Sequence, residues 1–242
     1  MTIDYAKGLT FAFSDENWLS KLGRAALWAF ISALLFILPV YFYSTGYGLA
    51  TARNVMAGKE KPLPELNDVG AIFSDGLKFF VVMFVYALPA ILLLCIFLSI
   101  GIGTGIAAGD SFDEDAVGAA FGGGYVALQC ILQLYNIALG LMQPAIMTRY
   151  LQTGEIGESL QISKVFGIFR ENFVPSLMIF LMRFAAGIIL QLAVGVSLIT
   201  ICGWIFILFA GIPWASSVNG HLVGQFASEL DNPEKKLDPA AF

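Results

Sequence analysis

Long apolar runs alternate with short polar stretches along this chain. Phe79–Ile102 and Ala119–Met147 each exceed the roughly 20 apolar residues that a transmembrane helix needs. A further run extends from Phe173 to about Leu222. A helix rises about 1.5 Å per residue, so that run is too long for one crossing. Ile201-Cys202-Gly203 is its natural turn and divides it into Phe173–Thr200 and Trp204–Leu222. Ala25–Ala50 is apolar as well, but Pro39 interrupts it and removes a backbone donor. The pattern predicts an all-α fold: a polytopic transmembrane helical bundle of five to six apolar segments, with short interfacial amphipathic helices. Residues 1–242 read as a single integral membrane domain, with 1–24 an N-terminal interfacial segment and 226–242 a polar C-terminal tail.

Basic residues set the orientation. Of thirteen Lys and Arg, twelve fall between the apolar runs. Lys7, Lys21 and Arg24 precede the first run, and Arg53, Lys59, Lys61 and Lys78 follow it. Gly103–Gly118 has none, Arg149, Lys164 and Arg170 share the next connection, and Lys235 and Lys236 lie in the tail. Basic connections favour the cytoplasmic side. All twelve reach it only if Ala25–Ala50 enters and returns, as two short spans turning near Pro39 or as a re-entrant hairpin. Each half is short for roughly 30 Å of hydrocarbon. The alternative is one kinked span that strands three basic residues outside. The paired arrangement places both termini in the cytoplasm of a multi-pass protein of the cell membrane.

A weak internal echo points the same way. Phe13-Ser14-Asp15, Phe73-Ser74-Asp75 and Phe169-Arg170-Glu171 each precede an apolar run, where Ser or an acid caps exposed helix N–H groups. The amphipathic stretches Asp68–Phe73 and Ser159–Phe169 fit an interfacial position. Three hairpins would follow.

Composition narrows the class. The chain is 58% hydrophobic and 13% charged, against about 25% charged in soluble domains. A net charge of −5 argues against a nucleic-acid partner, which calls for a basic patch. Met1–Ser20 carries Asp4, Lys7, Asp15 and Glu16 and does not read as a cleavable signal peptide. Cys95, Cys130 and Cys202 form no C-x-x-C pair and read as packing residues.

Candidate chemistry is sparse. The thirteenth basic residue, Arg183, stands about ten residues into its apolar run, about 15 Å along a helix and near the membrane middle. A charge there costs at least about 2.5–3.5 kcal/mol, so a partner or a water cavity is expected. No Asp or Glu lies inside any span, which leaves amide oxygens, backbone carbonyls, lipid phosphate or a bound anion. Gln129, Gln133, Asn136, Gly140 and Gln143 are spaced by 4, 3, 4 and 3 residues, placing all five on one helix face. Such a face should meet protein or water. Arg183 and Gln191 are its expected neighbours, and the six polar residues form the candidate intramembrane cluster. The single His, His221, supports neither a His-based metal site nor a catalytic triad. Trp214 reads as an interface-belt residue and Asn219 as a helix end. The glycine-rich connection with Asp110, Asp113, Glu114 and Asp115 lacks a phosphate-loop pattern and an EF-hand register. Neither a catalytic residue nor a cofactor is predicted.

The stretch from Gly46 to Pro89 carries a resemblance. It runs Gly46-Tyr47, Ala52-Arg53-Asn54, Gly58-Lys59-Glu60, Pro62 to Asp68, Gly70, Phe73, Gly76-Leu77 and Tyr86-Ala87-Leu88-Pro89. This resembles the prokaryotic membrane-protein family of domain of unknown function 4013, with Leu66 where that family commonly has Trp. The opening Tyr5 to Trp18 and the later long apolar pair are similar too. The resemblance implies a several-span membrane protein and carries no activity.

Three functional classes compete. A non-enzymatic accessory or scaffold subunit of a membrane complex ranks first, with lipid and other membrane proteins or a second copy as partners. A small channel or transporter, its polar pathway lined by the third span and Arg183, is the alternative. An intramembrane enzyme needs a nucleophile, base or metal constellation, and the sequence offers none.

Overall fold

The computed structural model describes residues 4–15, 17–18, 20–25, 37–65, 68–108, 114–197 and 201–231. Every regular element among them is a helix. α1 (Tyr5–Thr10) passes into a 3-10 turn at Phe11–Ser14. Then come α2 (Ile37–Met56), α3 (Val69–Ala108) and α4 (Glu114–Thr153). The short α5 (Ile156–Ser159) and α6 (Ile162–Glu171) lead to α7 (Phe173–Ser197) and α8 (Ile201–Asp231). Three stretches are long and apolar enough to cross a membrane: Val69–Gly103, Gly123–Thr153 and Phe173–Gly195.

The helices differ from the sequence reading mainly at their ends. α3 and α4 have 40 residues each, more than the apolar runs alone, because flanking residues such as 69–78 and 148–153 are helical too. Ile201, Cys202 and Gly203 are helical, as part of α8, instead of forming the turn, and residues 198–200 lie outside the described residues. α8 continues to Asp231 with Phe226 and Ala227 buried, so helix extends into the segment read as a polar tail. Asn219 accordingly sits inside a helix rather than at its end. Pro39 lies within α2. The path from Ala25 to Ile37 lies outside the described residues.

The echo of three capped entries does not hold at its second and third copies. The Asp68 Oδ1 accepts the Ala71 N–H at 2.9 Å and caps α3, so Phe73-Ser74-Asp75 lies within that helix. Asp68–Phe73 is simply its beginning. Phe169-Arg170-Glu171 closes α6, and Asn172 separates it from α7. α6 itself is amphipathic: Val165 is buried, while Ile162 and Phe166 are 63% and 51% exposed.

The chain divides into two compact units, Met1–Val82 with Met142–Phe242, and Met83–Leu141. In the first unit α2 is the central element. It crosses α3 where Gly46 meets Ile72 and Gly76, at a distance that a Cβ on Gly46 or Gly76 would destroy by overlapping a carbonyl oxygen. On its other side Gly48 meets Ser216 and Gly220 of α8. Small residues let backbones approach in this way where lipid removes the hydrophobic drive for helix association. Ala25, Leu22 and Phe11 share one core cluster with Tyr43, Tyr47, Leu63 and Ile72. In the second unit α3 and α4 run antiparallel. The Tyr135 hydroxyl donates to the Tyr86 carbonyl, and Gly124 lies against the Phe97 ring. Its outward surface is apolar, with Leu92, Ile96 and Leu134 exposed.

Candidate functional site

The residues from Gly46 to Gly76 build a polar junction rather than a reactive centre. Arg53, in the last turn of α2, pairs with Asp75 of α3, and the buried Tyr150 of α4 lies beside them. Tyr150 also packs on Phe79, with ring centroids 5.4 Å apart. The Asn54 side chain donates to the Pro62 carbonyl at 3.0 Å and pins the following loop. Gly58 ends α2 at φ +69°, with its N–H on Val55 O at 2.9 Å and the Lys59 N–H on Asn54 O at 3.1 Å. That is a Schellman stop, and it favours Gly because the left-handed conformation crowds any Cβ.

Further polar contacts collect in the same unit. Arg149 pairs with Glu158, which also takes Lys164 at 3.3 Å and the Gln161 amide at 2.7 Å. Hydrogen bonds from Arg149, Lys164 and Gln161 hold the Glu158 carboxyl below the ordinary carboxylate range. The Gln152 amide donates to Asp231 at 2.7 Å, joining the ends of α4 and α8. Within the N-terminal segment Asp15 accepts Lys21 Nζ at 2.8 Å and the Asn17 N–H at 2.9 Å. Burial pushes the Asp15 carboxyl up. The bonds from Lys21 and Asn17 and the charges of Lys21 and Lys61 outweigh that and hold it below its usual range. Phe11 stacks on His221 at 4.1 Å, and Gln225 Nε2 stands 2.8 Å from His221 Nε2. Asp4 N–H reaches Gln225 Oε1 at 3.1 Å. The single His therefore belongs to the seat of the N-terminal segment, and Trp214 packs against the core cluster there.

The six residues of the predicted cluster are distributed over both units. Arg183 is half-buried on α7, at the edge of the buried stripe Ser176, Ile179 and Ala186. Its charge lies within electrostatic reach of the Tyr41 phenol on α2. Among the described residues it has no salt bridge. Gln191 is exposed two turns further along the same helix. Gln143 is half-buried in the first unit, and its Oε1 is buried without a hydrogen-bond partner. Gln129, Gln133 and Asn136 belong to the second unit. The Gln129 amide donates to the Tyr125 hydroxyl at 2.7 Å, one turn back on α4, while Gln133 and Asn136 are exposed.

Sequence reasoning missed the Asp15–Lys21 and Arg53–Asp75 pairs and the Phe11–His221 stack. The last two join residues far apart in the chain. Lys21 follows Asp15 by six, which is not a helix-neighbour spacing. The signal available was the Gly-Tyr and Ala-Arg-Asn punctuation itself.

A family model described as a protein of unknown function (DUF4013) matches residues 30–200. The chain belongs to that family. No curated protein and no solved structure matches it. The part shared with DUF4013 contains the α2–α3 crossing, the antiparallel pair of the second unit and all six residues of the predicted cluster. Asp15, Lys21 and His221 lie outside it.

Proposed function

We propose that this DUF4013 chain is a multi-pass protein of the cell membrane and a non-enzymatic accessory subunit of a membrane complex. The observation that carries this reading is the exposure of Gln133, Asn136 and Gln191 on helices apolar enough to span. An amide in hydrocarbon needs a partner, and another transmembrane helix supplies one. The exposed surface of the second unit, rich in Leu and Ile, adds area for such contact. Changing Gln133 and Asn136 together to Leu should reduce recovery of a co-purified membrane protein while the folded yield stays unchanged. Unaltered recovery would remove the support.

The topology proposed with it brings Ala25–Ala50 into the membrane and back, giving six spans and cytoplasmic termini. Ala25 shares a core cluster with Tyr43, Tyr47 and Leu63. A single kinked span would separate Ala25 from Ala50 by about 38 Å of helix, and Ala25 would then sit far from Leu63.

A second reading, a small transporter, is favoured by the first unit's interior. Gln143 Oε1, Thr148 Oγ1, Ser176 Oγ and Asn219 Oδ1 are buried without protein partners, as the walls of a hydrated path would be. Solute flux in reconstituted vesicles, lost in Asn219→Leu, would favour it over the subunit role.

A further inference from the structure

We propose that Arg183 receives a carboxylate carried by a transmembrane helix of a different protein. The inference rests on the subunit reading above and names the chemistry of the partner. Arg183, Gly187 and Gln191 follow at intervals of four on α7, so they form one line along the helix. Arg183 and Gly187 are half-buried and Gln191 is exposed. No atom lies within 4 Å of where a Cβ on Gly187 would stand. This leaves room for a second backbone beside the guanidinium. Phe184 and Ile188, 63% and 46% exposed, flank the line with apolar surface suited to helix contact.

Charge complementarity selects the occupant. A guanidinium in hydrocarbon is best matched by a carboxylate, which it binds through two parallel hydrogen bonds. None of the chain's apolar runs contains Asp or Glu, so a second copy offers no match. Lipid phosphate is too far: Arg183 lies ten residues from the start of α7, roughly 15 Å into a hydrocarbon layer about 30 Å thick. The Tyr41 phenol, half-exposed and within electrostatic reach, adds a hydroxyl donor for the same carboxylate. The partner is therefore a membrane protein with an Asp or Glu near the middle of a span.

The full-length protein captured from its native membranes tests this, compared with Arg183→Gln and Arg183→Lys. Wild type should retain one partner at constant ratio, with an acid inside a span. Arg183→Lys, which keeps the charge but not the paired hydrogen bonds, should retain it more weakly than wild type and better than Arg183→Gln. Arg183→Gln should lose it at least about tenfold, a difference of about 1.4 kcal/mol. Arg183→Asp, combined with Arg at the partner's acidic position, should restore recovery. In phosphatidylcholine vesicles the purified chain should bind a poly-leucine transmembrane peptide with one central Asp more tightly than the all-leucine peptide. Arg183→Gln should abolish that preference. Removing the charge should not lower folded yield, which shows that a lost partner is not a lost fold. A partner recovered equally by Arg183→Gln would overturn the carboxylate assignment and leave the subunit reading standing. Absence of any constant partner of the wild type would defeat both. Displacement of the Asp peptide by added phosphatidylglycerol would assign Arg183 to a headgroup and overturn the proposal.

Discussion

Asp15 is 3% exposed and still charged, because Lys21 and the Asn17 N–H surround its carboxylate. Removing one member of a buried pair strands the other, at a cost of about 3–5 kcal/mol. Asp15→Ala should therefore loosen the fold of the N-terminal segment around Lys21, seen as lower protection from hydrogen exchange there. The pH dependence has a definite sign. The folded pKa is depressed, so the pair stabilises fully above about pH 4 and fades as pH falls through the folded value. The wild-type protection factor in this segment, corrected for intrinsic exchange, should fall only on the acid side, and Asp15→Asn should flatten that fall. Arg183 was legible in the sequence because it is the one basic residue inside an apolar run. Asp15 was not, since a carboxylate in a polar N-terminal stretch looks like an ordinary helix cap until its burial is seen.

Helices follow the apolar runs closely because backbone groups in lipid have no other way to be satisfied. Their ends do not. The start of α3 is set by the Asp68 cap, and the inward reach of α8 by packing of Phe226 and Ala227, neither of which hydropathy records. The glycines distinguish two physical roles. Gly76→Ala places a Cβ on the Phe42 carbonyl, so α2 and α3 must separate and folded yield in detergent should collapse. Gly58→Ala meets nothing within 4 Å and carries only the cost of its positive φ, about 1–2 kcal/mol, seen as a modest loss of thermal stability. Equal effects of the two substitutions would contradict this division. α6 presents Ile162 and Phe166 outward with Lys164 and Arg170 on its polar side, as an interfacial helix does. Phe166→Trp should emit at short wavelength and be quenched most by lipids brominated near the headgroup. Emission typical of water would refute the interfacial position.

At the scale of the whole molecule, the sequence supplied the helical class, and the Gly46–Pro89 pattern supplied the family, which the match over residues 30–200 shows. Span number and the meeting of Arg183 with the amide face were not legible, because they depend on how one helix lies against another. The proposed topology places Lys7 and Lys59 on one side of the membrane. Cysteines at these positions should react together with an impermeant reagent applied from the cytoplasmic face, and opposite accessibility would require the single kinked span. If this chain works as an intramembrane subunit, native mass spectrometry of complexes released from the source membrane should show its partner. One membrane protein should be found bound at fixed stoichiometry to the wild-type chain. A chain released alone or only with lipid, and conducting solute once reconstituted, would contradict it.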